Sequence, residues 1–290
     1  MRRLPFYLGL GFFLVIVAFP FYWQIVTSAK TSDEIWAMPP VWIPVQGLET
    51  GDVPIDAQGG TIRAPQFLTN YTNVFLKQPF GRYLLNSTIV SGATTLFCLL
   101  VGAMAAFALA KLRFRGKNLV LALVLSVSMF PPVAIAPSLF LFLSQFRLVD
   151  TYLGLILPYT TFALPLALWN LTAFFRQVPS ELLESARVDG AGYFTTFWKV
   201  FLPLVAPGMF TTGILTFICA WNEFLFALFF TTTEEMRTVP VGIALFSGQY
   251  ESPWGQIAAA TVIVTLPLIV LVLAAQKRIV AGLTAGAVKG

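Results

Sequence analysis

Long apolar stretches alternate with short polar ones along the whole chain. Windows at about 5–27, 84–110, 119–143, 152–175, 201–230 and 257–276 are each long enough, at about 1.5 Å rise per residue, to cross a hydrocarbon layer about 30 Å thick. Lipid leaves unpaired backbone groups no partner, and the period-two alternation of a membrane barrel is absent, so each window predicts one continuous helix. Between the windows lie two long polar loops, 29–82 and 231–256, and a loop at 176–200. The first carries Pro39, Pro40, Pro44, Pro54, Pro65, Pro79 and the pair Gly59-Gly60. It is too long for a turn and is expected to form a small cap or to lean on another subunit. The expected fold is an all-α membrane protein, a single transmembrane domain over 1–290 without a soluble domain.

Composition and charge agree and add an orientation. Charged residues are 11% and hydrophobic ones 57% of the chain, against about 25% charged in an ordinary globular protein. With a cytoplasmic amino terminus, inner segments hold twelve Lys and Arg and outer segments six, and four of the inner ones fall within 111–117. By the positive-inside rule both termini are cytoplasmic. The net charge of +5 then reflects topology and lipid headgroups, with no nucleic-acid signal in it. Arg2 and Arg3 before the first window also suit a secretory signal. The apolar core of a signal is about 7–15 residues, however, and the longer run here fits an uncleaved helix.

Several kinds of chemistry are excluded. The chain has no histidine, its two cysteines (Cys98 and Cys219) fall inside spans, and no phosphate-binding loop of the G-x-x-x-x-G-K-[ST] type occurs. No catalytic residue, metal or bound cofactor is expected, and any ATP must be bound by another subunit.

Within the spans, Gly102, Ala106 and Ala110 form a smooth stripe suited to helix packing. Prolines recur in nearly every span, each removing a helical hydrogen bond and bending the axis, and Pro131-Pro132 is the strongest candidate for a broken helix beside a polar pathway. Glu223 is the one acid inside a span. With Trp221 and Asn222 it is either a structural contact near the outer surface or part of the lining of a translocation pathway.

The loop at 176–200 contains a short helix signal. Ser180 after Pro179 suits an N-cap, Glu181 suits the positive end of a helix dipole, and Gly190 is a natural stop. Leu182, Leu183 and Ala186 share one face, and Glu181, Glu184, Ser185 and Arg187 the other. From periodicity alone this is an amphipathic helix lying on the membrane surface.

The residues here also carry a resemblance. Glu184-Ser185-Ala186, three residues, Gly190, nine residues, Val200, one residue and Leu202-Pro203 resemble the EAA loop of permease subunits of bacterial ABC importers, with Ser185 for the usual alanine and Val200 for the usual isoleucine. Asn86 to Val90, Trp221 to Leu228, Trp254-Gly255 and the tail Gly282 to Gly290 resemble the carbohydrate branch, in particular the smaller permease of the maltose-transporter type. The likeness covers the chain except for about 45–65.

It implies the type I ABC importer permease fold, with six transmembrane helices and a cytoplasmic coupling helix in the bacterial inner membrane. It further implies a heterodimer with a second permease, two ATPase subunits holding ATP and Mg, and an extracytoplasmic sugar-binding protein, working by alternating access. Glu184, Ala186, Asp189 and Gly190 would form the joint with the ATPase, Leu182 and Leu183 its buried contact, and Pro203 the end of the motif. Gly242, Phe246, Gly248 and Tyr250 would reach the binding protein, and Thr284, Gly286 and Lys289 the ATPase pair. Two rivals are a secondary transporter or channel, which would need intramembrane ion sites, and a purely structural membrane subunit.

Overall fold

The computed structural model describes residues 4–246 and 252–287, with side chains for 6–246 and 252–276. The chain divides into two compact units, 1–82 with 242–267, and 83–241 with 268–290.

The first unit begins with α1 (Leu4–Ala29), which runs through Pro20 without a break. Its apolar window has no buried side chains, as a helix turned to hydrocarbon should. Thr31 and Glu34 then form a reciprocal capping box that starts the short helix Ser32–Trp36. The Glu34 carboxylate also accepts the Gln46 and Gly47 backbone N–H groups, at 2.8 and 3.3 Å, folding the loop back on itself.

The loop at 29–82 departs from the all-α expectation. β1 (Thr50–Pro54) pairs antiparallel with β2 (Thr61–Pro65), Thr50 opposite Pro65 and Pro54 opposite Thr61. Asp56 closes the turn by accepting the Gln58 and Gly60 N–H groups. Outside the lipid, water can satisfy the open edges of a two-stranded hairpin, so the rule that forces helices on the spans does not apply.

Next, α2 (Leu68–Lys77) ties this cap to α1. Asn70 Nδ2 donates to the carbonyls of Ser28 and Lys30 at 3.0 and 2.9 Å. A Cβ on Gly255 would lie 2.6 Å from Asn70 Oδ1, so the Trp254-Gly255 pair owes its glycine to this close approach.

In the second unit, four of the expected spans lie along α3 (Phe80–Lys111, its first turn in the first unit), α4 (Lys117–Val127) with α5 (Pro132–Gln145), α6 (Tyr152–Gln177), and a broken region ending in α8 and α9. Two windows are not the continuous helices expected of them. α4 and α5 meet at 89°, because Pro132 has no N–H to continue the ladder and instead opens α5 in its first turn. The segment Tyr193–Leu204 and α8 (Ala206–Trp221) meet at 78°, with Pro207 in the first turn of α8. The window then breaks again before α9 (Leu225–Phe230). By contrast, α6 continues through Pro158 and Pro165. The last helix, α10 (Trp254–Ala287), crosses from the first unit into the second.

The core of the second unit centres on Phe107, whose ring lies 5.9, 5.4 and 5.1 Å from those of Phe175, Phe197 and Phe201. Small residues on α3 make room for it. Gly102 faces Leu164, Ala167 and Leu171 of α6, and Ala103 and Ala106 are fully buried. Polar side chains in the spans mostly answer to their own helix. Thr88, Thr95, Thr161, Thr211 and Thr216 each donate to the carbonyl four residues earlier.

Candidate coupling site

Between α6 and the segment Tyr193–Leu204 stands α7 (Glu181–Val188). Ser180 precedes it but does not cap it with its side chain; its backbone is already helical, and its carbonyl accepts the Leu183 and Glu184 N–H groups. The carboxyl-terminal end is sharply defined. Gly190 has φ +79°, its N–H donates to the Arg187 carbonyl, and the Ala191 N–H donates to the Ala186 carbonyl at 2.9 Å. This pair of bonds is a Schellman motif, which stops the helix within one residue.

The apolar face of α7 turns inward. Leu183 and Ala186 are buried, and Leu183 joins the Phe107 cluster with Leu121, Phe175 and Phe197. Leu183, expected with Leu182 as the buried contact of the joint, and Ala186, expected in the joint itself, are thus covered by this chain's own side chains. Leu182 is half exposed and lines a 370 Å³ groove with Phe174, Val178, Pro179, Leu204 and Pro207.

What α7 offers outward is different. Glu184, Asp189 and Gly190 are exposed, and Val188 between them is 87% exposed. Tyr193 and Phe194 extend the apolar tip, and the Arg187 guanidinium lies 5.5 Å from the Tyr193 ring. Pro203 is exposed in the single turn Leu202–Leu204.

A residue not singled out from the sequence supports the base of the loop. Lys111, the last residue of α3, is 9% exposed; its Nζ donates to the Val178 carbonyl and lies 5.7 Å from the Phe201 ring. In the sequence it belongs to the basic cluster at 111–117, where charge counting gives orientation and no role to any single lysine. Val188 carries no signal either, being one of the three unspecified residues between Ala186 and Gly190.

The other expected site residues fall in separate places. Pro131 and Pro132 are exposed at the α4–α5 bend. Trp221, Asn222 and Glu223 form the break between α8 and α9. The Trp221 ring is buried and stacks on Phe217 at 5.5 Å, and Asn222 Nδ2 donates to the Ile218 carbonyl. Glu223 accepts the Phe226 and Ala227 N–H groups at 2.9 and 3.2 Å and so caps α9. α5 and α9, which follow the two breaks, pack on each other.

Gly242 lies in the short helix Val239–Ala244. Phe246 is 3% exposed, with its ring 6.1 Å from that of Phe80. Gly248, Tyr250 and Lys289 lie outside the described residues, and Thr284 and Gly286 lie in the last turns of α10.

The profile of one protein family, described as binding-protein-dependent transport system inner membrane component, matches residues 98–284, which include α7 and the turn after it. The chain belongs to this family. It is the permease of a binding-protein-dependent transport system. Similar permeases include the trehalose/maltose transport system permease protein MalG of Thermococcus litoralis, 40% identical over 100% of this chain and 98% of that protein. The trehalose transport system permease protein SugB of Mycobacterium tuberculosis is 43% identical over 93% and 97%. The sulfoquinovosyl glycerol transport system permease protein SmoH of Agrobacterium fabrum is 38% identical over 98% and 93%. Among solved structures, a bacterial ABC transporter involved in the import of the acidic polysaccharide alginate aligns with TM-score 0.72 at 20% identity, covering 93% of both chains, so the permease shares its fold.

Proposed function

We propose that this permease imports a sugar or oligosaccharide by alternating access, driven by two separate ATPase subunits that bind ATP and Mg, one of which docks on α7. Three relatives that span nearly the whole chain are named for saccharide or glycoside transport, and this supports the substrate class. Counting each bent pair as one span gives six, with both termini in the cytoplasm. A second permease completes the pathway, and an extracytoplasmic sugar-binding protein delivers substrate to the outer face.

The observation that carries the coupling role is the division of α7 into two faces. Leu183 roots the helix in the Phe107 core, while Val188 projects beyond it beside Glu184 and Asp189. A push on Val188 therefore moves a helix that is packed against α3, α6 and the segment leading into α8. The Schellman stop at Gly190 keeps the helix short and stiff under that load. Glu184, Asp189 and Gly190 remain the joint, with Val188 replacing Leu183 as its apolar contact and Leu182 lying beside the groove.

The test is uptake and ATP turnover by the reconstituted transporter with Val188→Asp. Sugar-stimulated turnover and uptake should fall together by at least about tenfold, the cost of placing a charge in a docked apolar contact. Unchanged uptake at equal protein level would contradict the docking.

A further inference from the structure

Lys30, just past α1, is a buried cation that forms no ion pair among the described residues. It is 3% exposed, and its Nζ lies 4.0 Å from the centroid of the Trp23 ring, with no hydrogen-bond or ion-pair partner for that ammonium among the described residues. Burial pushes Lys30 below the ordinary lysine range, and the charge of Glu34 offsets part of that. The Glu34 carboxylate is itself held by the Thr31, Gln46 and Gly47 N–H groups.

Beside Lys30 is a cavity of 340 Å³ within the first unit, lined by Trp23, Gln24, Thr27, Lys30, Trp254 and Ile257 among others. Three features narrow what it takes. An ammonium on the cavity wall, with the nearby Glu34 carboxylate already taken up by backbone N–H groups, selects an anion. The face of Trp23 is already covered by that ammonium, which leaves it unavailable for stacking on a sugar ring. The apolar window of the adjoining helix α1 has no buried side chains, so the cavity lies beside the end of a wall suited to hydrocarbon. An anion joined to acyl chains at the level of the interfacial aromatics is the phosphate of a phospholipid.

We propose that Lys30, with Thr27 and Gln24, binds the phosphate of a membrane phospholipid in this cavity, its acyl chains running along α1. The site lies away from α7, so it stands or falls independently of the coupling role.

The test is native mass spectrometry of the full-length permease in its purified transporter, with added phosphatidylglycerol or inorganic phosphate. The unaltered protein and Lys30→Arg should retain phosphatidylglycerol, and Lys30→Gln should retain on the order of fivefold less, as one lysine near a headgroup contributes. Thr27→Ala, which leaves the buried charge in place, should lower retention less. Equal retention by Lys30→Gln, or no retained lipid in the unaltered protein, would overturn the site. Displacement of the lipid by excess inorganic phosphate would overturn the lipid assignment.

Discussion

The ammonium of Lys111 donates to the backbone carbonyl of Val178, joining the last turn of α3 to the strand-like residue that separates α6 from α7. A hydrogen bond from a charged group is worth about 1.5–3 kcal/mol, and this one fixes the point where the coupling loop leaves the bundle. Lys111→Met keeps the stem and removes the donor. It should lower sugar-stimulated ATP turnover more than basal turnover, and Lys111→Arg should restore part of the loss. Equal loss of both activities would assign Lys111 to general stability.

Leu183 and Val188 should separate folding from coupling. Leu183→Ala deletes a side chain of the Phe107 core and should destabilise by about 2–5 kcal/mol, with a clear fall in the Tm of the detergent-solubilised protein. Val188→Ala removes an exposed side chain and should leave stability within about 0.5 kcal/mol. A larger fall in Tm for Val188→Ala than for Leu183→Ala would reverse the assigned faces of α7.

Gly190 isolates a backbone effect. Its φ is +79° and a Cβ there would meet nothing within 4 Å, so Gly190→Ala costs conformational strain alone, about 1–2 kcal/mol. The expected result is weaker coupling with the protein still folded, measured as uptake per unit of membrane-inserted permease. Full uptake would show that the stop after α7 tolerates a side chain.

Asp150 gives a pH dependence outside the spans. Burial alone would raise its carboxyl, but hydrogen bonds from the hydroxyls and N–H groups of Thr232 and Thr233 outweigh that and hold it below its ordinary value. The stabilisation is therefore complete above the ordinary aspartate pKa of 3.8 and is lost as pH falls from there through the lower folded value. Asp150→Asn should lower the Tm at pH 7 and flatten its acid dependence, as followed by thermal unfolding from pH 7 to pH 3. An unchanged acid slope would mean that other carboxylates dominate it.

Four of the six apolar windows were legible as long helices, because the need to pair every backbone group in hydrocarbon leaves a long apolar run little else to form. Pro131-Pro132 was legible as a break for the same reason, since two adjacent prolines leave a helix no way through. Pro158 and Pro165 look no different in sequence from Pro207, yet α6 continues and the fifth window bends, because packing around α6 supports a helix that has lost single hydrogen bonds. The faces of α7 depended on tertiary structure in another way. Eight residues define an apolar stripe, but whether that stripe covers its own bundle or another protein depends on Phe107 and Leu121, which are distant in sequence. The hairpin at 50–65 was missed because its strands are short and lie where the membrane imposes nothing.

Cysteine protection measures the docking of α7 most directly. In the permease with its ATPase removed, Val188→Cys should react rapidly with a membrane-impermeant maleimide and Ala186→Cys should not. Adding the ATPase should protect Val188→Cys, whereas equal labelling of Val188→Cys with and without the ATPase would contradict the account.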